Sequence, residues 1–173
     1  EGSGRVIAAN NVNISAEVSG DVIQGSVALK RGNSFSKGDL LFSIDKSEAE
    51  YNLYAQKSQF LTALAGILAD LKIDYPEAYE KWQSYFESIE VDKPMPDLPE
   101  TESSAEKTFL ATKGILNQYY SIISTEERLE KYMVYAPYGG VIKEVFVEDG
   151  GTVNPGTAVI NISSSNQVDL EVP

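Results

Sequence analysis

The sequence contains neither cysteine nor histidine. Within these 173 residues, that absence excludes disulfide bonds, thiolate nucleophiles, zinc sites built from Cys or His, and acid–base catalysis by imidazole. Basic residues are scarce as well, because 14 Lys and Arg stand against 26 Asp and Glu, which gives a formal net charge of −12. A field of that sign repels phosphate backbones, so we expect no nucleic-acid partner. No apolar run approaches the roughly 20 residues that cross a bilayer.

Two glycine-punctuated stretches, one near each end of the chain, carry the same pattern. The first, VSGDVIQGSVALKRGNSFSKGDLLFSID, covers residues 18–45, and the second, APYGGVIKEVFVEDGGTVNPGTAVINI, covers residues 136–162. Glycine permits positive φ and close backbone approach in tight turns. With a one-residue gap, the alignment predicts six structural turns: Gly20, Gly32 and Gly38 in the first copy, opposite Gly139, Gly150 and Gly156 in the second.

Short runs rich in β-branched residues predict strands at 5–18, just before the first copy, and at 22–23, 27–29, 35 and 40–44 within it. One half has few strands and one exposed apolar face, so it would be marginal alone. We therefore expect the two halves to pair with each other in one small sandwich.

Between the copies, apolar residues return at helical intervals. Apolar residues at 60, 64, 67 and 71 form a seam that predicts a helix over 46–72. Lys57 falls in this seam, and we expect its stem to carry the charge out to solvent. A second helix is predicted over 76–88 with Asp74 as its cap, and a third over 102–132. The two long helices should bury their stripes on each other as an antiparallel hairpin, whose two ends lie side by side.

These two stretches resemble the split biotinyl/lipoyl domain of periplasmic adaptor subunits, the HlyD-type membrane fusion proteins of tripartite efflux or secretion systems. The most specific part of this resemblance is APYGGV, residues 136–141. The resemblance implies an α+β fold: a split biotinyl/lipoyl-like β-sandwich with an inserted antiparallel α-helical hairpin. The implied domains are a first half with its entry strand (1–45), the hairpin with an extra helix and a proline-rich bend (46–133), a second half (134–166) and the start of a following β-barrel (167–173).

The resemblance also implies a non-enzymatic function without cofactor, metal or catalytic residues. The full-length protein would be periplasmic and anchored to the inner membrane, and it would bridge an inner-membrane transporter to an outer-membrane channel while forming a ring with its own copies. A transporter of the resistance–nodulation–division (RND) type is expected first, and an ATP-driven exporter or type I secretion system is the alternative. The candidate partner-binding tip of the hairpin is formed by Pro94, Met95, Pro96, Asp97 and Leu98.

Three other readings stay open from the residues. Lys46, in Ile44-Asp45-Lys46, could carry lipoyl or biotin, although a helix pattern rather than a returning strand follows it. Neighbouring carboxylates could serve a hydrolase, and the pairs are Asp97 with Glu100 and Glu126 with Glu127. The chain could also be an adhesive surface protein built on a coiled coil. The aromatic stripe of the second helix could be either core or a docking face; it comprises Tyr75, Tyr79, Trp82, Tyr85 and Phe86.

Overall fold

The computed structural model describes residues 5–7, 11–164 and 169–171. Its strands are β1 (Arg5–Ile7), β2 (Asn11–Ser15), β3 (Gly20–Gln24), β4 (Ser34–Phe35), β5 (Leu40–Ile44), β6 (Met133–Tyr135), β7 (Gly140–Val145), β8 (Thr152–Val153), β9 (Ala158–Ser164) and β10 (Asp169–Glu171). Its helices are α1 (Ser47–Asp74), α2 (Pro76–Ser88), α3 (Ser104–Thr112) and α4 (Ile115–Glu130). The chain is therefore of the α+β class, as the sequence predicts.

The chain divides into two compact units. One, the β unit, consists of Glu1–Lys46 together with Glu130–Pro173, and the other, the helical unit, consists of Ser47–Leu129. The strand pair β1–β10 also belongs to the first unit, with Val6 opposite Leu170. The expected start of a further β-domain at 167–173 falls largely outside the described residues. Within this stretch, the structure describes only β10.

Each of the two four-stranded sheets takes strands from both copies of the repeat. One sheet has the order β2-β9-β7-β4 and the other has the order β6-β5-β3-β8, with antiparallel pairing throughout. Exchanging the two copies converts one order into the other. Neither copy completes a sheet without the other, so the prediction that the halves pair is confirmed.

The equivalence of the two copies extends to their turns. Gly32, Gly38, Gly150 and Gly156 all have φ between 84° and 91°, a left-handed conformation that costs glycine little. The amide of each donates to a carbonyl of the opposite half: Gly32 to Ile142 at 2.8 Å, Gly150 to Val22 at 2.7 Å, Gly38 to Ala136 at 2.9 Å and Gly156 to Ala16 at 2.8 Å. These reciprocal bonds tie the four turns into the paired structure.

The same bonds correct the predicted register by one residue. Val22 and Ile142 occupy equivalent, fully buried positions, whereas Ile23 is 47 % exposed. A shift of one residue moves a strand's side chains to the other face, so Gly20 corresponds to Gly140 rather than to Gly139. Gly139 lies in the bend before β7 and does not adopt positive φ, unlike Gly20 at 151°.

The strand predicted over 27–29 is absent, because the chain leaves the sheet at Gly25. A Cβ on Gly25 would overlap the carbonyl of Leu40, and the amide of Ser26 donates to that carbonyl at 2.8 Å. Beyond this close approach the chain turns, and the Asn33 side chain donates to Ala28 O at 2.9 Å. These isolated hydrogen bonds therefore replace strand pairing over residues 27–29.

A substitution at Gly140 tests how closely the paired halves pack. A Cβ at this position would overlap the carbonyl oxygen of Ser163 on β9 and press on the ring of Phe35. We expect Gly140→Ala to lower the free energy of unfolding by about 2–3 kcal/mol, because β7 and β9 must move apart. Gly38→Ala is the control, since its Cβ meets nothing within 4 Å and only the φ of 88° is strained, at about 1 kcal/mol. Urea unfolding followed by far-UV circular dichroism compares them, and equal losses would contradict this packing.

Candidate functional site

The helical insert leaves and re-enters the β unit at adjacent strands. Strand β5, which precedes α1, pairs with β6, which follows α4, with Leu40 opposite Tyr135. The amide of Ile44 donates to Tyr132 O at 2.7 Å. The residues of the β unit that flank the insert are therefore neighbours.

Helices α1 and α4 run antiparallel, as two contacts between them and a third just before α4 show. Gln56 accepts a hydrogen bond from Thr125 at 3.1 Å, and Lys57 pairs with Glu126 at 2.5 Å. Further along, Lys113, just before α4, pairs with Asp70 at 3.0 Å. The predicted seam is confirmed, because it forms the buried side of α1: Leu53, Phe60, Leu64, Ile67 and Leu71.

Helix α2 and the proline-rich segment (residues 91–99) pack against this pair. Tyr85 on α2 meets Phe60 edge to face at 6.5 Å and donates to Pro96 O at 3.0 Å. Burial, followed by the nearby Tyr119 and the carboxylates, raises the pKa of Tyr85 above its ordinary value, so its hydroxyl stays protonated and continues to donate. The proline-rich segment is irregular, as its prolines predict.

The proline-rich segment does not lie where the hairpin reverses. Met95 is only 7 % exposed, and its amide donates to the Glu126 carboxylate at 3.0 Å. The chain instead reverses between α1 and α2, at Asp74–Pro76, and breaks again at Gly114 between α3 and α4. The placement of Pro94, Met95, Pro96, Asp97 and Leu98 at the tip is therefore corrected, whereas partner binding by this segment stays a prediction.

Lys57 differs from the expected snorkelling lysine. Its side chain is only 2 % exposed. Its ammonium pairs with Glu126 and donates a hydrogen bond to Lys93 O, each at 2.5 Å. A buried ammonium is stable only when it is paired and hydrogen-bonded. Because Glu126 also accepts from Met95 N, this ion pair fastens the proline-rich segment to both α1 and α4.

A second polar cluster joins α2 to α3. Glu106, buried to within 2 %, accepts from the indole of Trp82 at 2.8 Å and from Glu102 N at 2.9 Å, and it pairs with Lys81 at 3.0 Å. Burial alone would raise the pKa of Glu106, but these donors outweigh it and lower the pKa below its usual range. The amide of Glu106 donates to Ser103, which caps α3.

Glu106→Gln is expected to lower the stability of the helical unit by about 1–3 kcal/mol at pH 7. The folded carboxylate has a pKa below that of the unfolded chain, so its contribution is present above about pH 4.3 and is lost as the pH falls through the folded pKa. The loss of stability caused by Glu106→Gln should therefore become smaller between pH 5 and pH 3. Trp82 is the only tryptophan, so its fluorescence in urea titrations reports this unit. A loss of stability that does not change with pH would contradict a stabilising contribution from the ionised Glu106 carboxylate.

The structure also places the residues of the alternative readings. Lys46 connects β5 directly to α1, whereas a carrier lysine needs a tight β-turn with the second strand returning at once. Glu126 is engaged by Lys57 and Met95, and the backbone of Glu100 accepts from Lys81 at 2.7 Å. The aromatic stripe is mainly core, since Trp82 is fully buried and Tyr85 is 6 % exposed, while Tyr75, Tyr79 and Phe86 pack partly buried against that core.

The sequence alone does not reveal the structural roles of Gly25, Gly140, Glu126 and Glu106. Glu106 carried a local signal, because Ser103 followed three residues later by Glu is a capping-box pattern. The other three depend on contacts between residues far apart in the chain. From the sequence, Glu126 stands out only as half of a carboxylate pair with Glu127.

Within residues 5–7, 11–164 and 169–171, no cluster of three or more acidic side chains is arranged to hold a metal ion. In the same part of the chain, no helix combines the length and apolarity needed to cross a membrane.

Comparison with known proteins gives one family. Residues 10–165 match the family model described as "RND MFP, barrel-sandwich hybrid domain", where MFP stands for membrane fusion protein. No curated protein matches the chain.

Solved structures share the fold at low sequence identity. A protein of Bacteroides eggerthii DSM 20697 assigned as an efflux transporter has TM-score 0.66 and 18 % identity over 96 % of this chain and 43 % of its own. A MacA–MexA chimera with the hairpin of Pseudomonas aeruginosa MexA has TM-score 0.60 and 19 % identity over 94 % and 51 %. Membrane fusion protein Spr0693 of Streptococcus pneumoniae R6 has TM-score 0.56 and 16 % identity over 94 % and 63 %. The chain thus spans about half the length of these structures.

Proposed function

The chain belongs to the RND membrane fusion proteins through its barrel-sandwich hybrid domain, and on that basis we propose that the full-length protein is a periplasmic adaptor of an efflux system. In this proposal it is of the HlyD type, is anchored to the inner membrane, and connects an RND transporter to an outer-membrane channel. It acts without catalysis, as a connector, and several copies surround the exported substrate.

The observation that carries the proposal is the reciprocal construction of the β unit. Each sheet draws strands from both copies, and the strand before the insert, β5, pairs with the strand after it, β6. The β unit therefore offers an inserted segment adjacent points of exit and return, an arrangement that suits a connector between partners. The family match adds the RND system as the first partner to test.

Co-purification with membrane proteins tests this function. The full-length protein, expressed in its own cells and cross-linked before detergent extraction, should bring down an RND transporter and an outer-membrane channel, and loss of its gene should raise the intracellular level of exported compounds. Recovery of an ATP-driven exporter instead would replace the transporter assignment with the alternative. Recovery of neither, together with unchanged export, would refute the adaptor function. An added lipoyl or biotinyl mass on Lys46 would favour the carrier reading.

A further inference from the structure

An open cleft in the β unit is formed by one segment from each copy of the repeat. Its volume is about 450 Å³, which lies within the range of pockets that hold small molecules. One wall is the connection between β3 and β4, which contributes Leu29, Lys30 and Arg31. The other wall is the end of β7 with the turn after it, which contributes Glu144, Phe146 and Glu148. We call this feature the two-walled cleft.

The cleft arises where the two copies differ in length. The connection of the first copy that ends at Gly32 is two residues longer than the corresponding connection that ends at Gly150. In the second copy this turn is bonded to the neighbouring strand, since Asp149 accepts from the amide of Gln24 at 2.7 Å. Arg31 corresponds to Asp149, but its side chain lines the cleft instead. The first copy therefore has an open space where the second has a hydrogen bond.

Backbone hydrogen bonds hold both walls in place. In the first wall, the amide of Asn33 donates to Lys30 O at 3.2 Å. This wall is attached to β7, because the amide of Ile142 donates to Asn33 O at 2.9 Å. In the second wall, the amide of Phe146 donates to Val159 O at 2.8 Å. Walls that are fixed before a ligand arrives lower the entropic cost of binding it.

The two walls carry opposite charges that are not paired with each other. Lys30 and Arg31 supply two exposed cations on one wall, and Glu144 and Glu148 supply two exposed carboxylates on the other. In the described part of the chain, none of these four side chains forms an ion pair or a hydrogen bond. An ion of either sign would be attracted to one wall and repelled by the other. A molecule that carries both charges can pair with both walls.

Apolar residues adjoin the charges on both walls. Leu29, next to Lys30, is buried, and the ring of Phe146, which lies between Glu144 and Glu148 in the sequence, is half exposed. A zwitterionic lipid carries both charges in its head group, with the apolar chains beyond them. A short peptide instead carries apolar side chains between its two charged termini, as the cleft requires. An extended dipeptide spans about 7 Å, which is more than the roughly 4 Å of an ion pair.

We propose that the two-walled cleft binds a short apolar peptide whose two termini are free. The peptide carboxylate pairs with Lys30 and Arg31, and the guanidinium of Arg31 can donate two parallel hydrogen bonds to it. The peptide ammonium pairs with Glu144 and Glu148, and an apolar side chain packs on the ring of Phe146. This binding site goes beyond the proposed adaptor function and does not depend on it, because every residue involved belongs to the β unit.

Isothermal titration calorimetry of the full-length protein with leucyl-phenylalanine tests the proposal. We expect saturable binding at one site. The N-acetylated and the C-amidated forms of the dipeptide should each bind about fivefold more weakly or worse, because each lacks one of the two charges. Phe146→Ala should weaken binding about tenfold, since the apolar contact is lost.

Reversing the charges of the walls separates recognition from folding. Lys30→Glu with Arg31→Glu should weaken binding about tenfold or more, because both walls then repel the peptide carboxylate. Adding Glu144→Lys and Glu148→Lys to this variant should restore binding, since the peptide can then enter in the opposite orientation. A misfolded protein could not regain affinity in this way.

The matched control reverses two charges elsewhere. Lys37 and Lys107 are exposed and lie outside the cleft, so Lys37→Glu with Lys107→Glu should change the affinity less than about twofold. The proposal is overturned if the wild type does not bind the dipeptide, if the capped forms bind equally well, if the variant with both walls reversed does not bind, or if the control loses as much affinity. Binding to phosphatidylethanolamine vesicles without binding to the dipeptide would also overturn it.

Discussion

Leu64→Pro is expected to abolish export while leaving the β unit folded. Leu64 lies in the middle of α1 and is completely buried. Proline there removes a backbone hydrogen bond and clashes with the preceding turn, at about 3 kcal/mol or more, and the lost leucine contacts add a further penalty of about 2–5 kcal/mol. A sum of this size matches the whole stability of many domains, so the helical unit should unfold.

Two measurements check this outcome. Export is assayed in cells that lack the wild-type gene, and hydrogen exchange read by mass spectrometry should find the amides of β3, β5, β7 and β9 still protected. Glu48→Pro is the control, because Glu48 lies in the first turn of α1, where proline is tolerated. Full export by Leu64→Pro would refute a mechanism that depends on the folded helical unit.

Glu126→Gln should have the second largest effect, lowering the stability of the helical unit by about 3–5 kcal/mol. The substitution keeps the shape but leaves the buried ammonium of Lys57 without a counter-charge. It also weakens the acceptor of the Met95 amide, which holds the proline-rich segment. Trp82 fluorescence during urea unfolding measures the loss.

A double-mutant cycle separates the ion pair from other effects of the substitution. Lys57→Met removes the buried charge and keeps much of the stem's volume, so Lys57→Met with Glu126→Gln should be more stable than Glu126→Gln alone. Additive losses would mean that the two residues do not interact. As a matched control, Glu127→Gln on the exposed side of α4 should change stability by less than about 0.5 kcal/mol.

The features that the sequence predicts correctly are those with local signals. Helical spacing in α1 and the glycine turns at Gly32, Gly38, Gly150 and Gly156 follow from periodicity and backbone conformation, and both are observed. The repeat also indicates that the copies pair, since neither buries its apolar face alone. The one-residue register error arose because Gly139 and Gly140 are adjacent, and only the burial of Ile142 decides between them.

The features missed depend on tertiary contacts. The helix predicted over 102–132 is divided at Gly114, whose φ of 76° ends α3 while its amide donates to Ala111 O. Asp74 does not cap α2 but ends α1, and Tyr75 takes the cap position. The path of the proline-rich segment is set by Lys57 and Glu126, which are 36 and 31 residues away from their backbone partners. No local pattern encodes such bonds.

The central claim is that the two distant copies of the repeat form one folded unit that does not require the residues between them. Replacing residues 47–131 with a short Gly/Ser turn tests it, since Ile44 and Tyr132 are already hydrogen-bonded. Far-UV circular dichroism during thermal unfolding is the measurement. If the claim holds, the shortened protein gives a β spectrum that is lost in one cooperative transition. A spectrum of unfolded chain at all temperatures would contradict the claim.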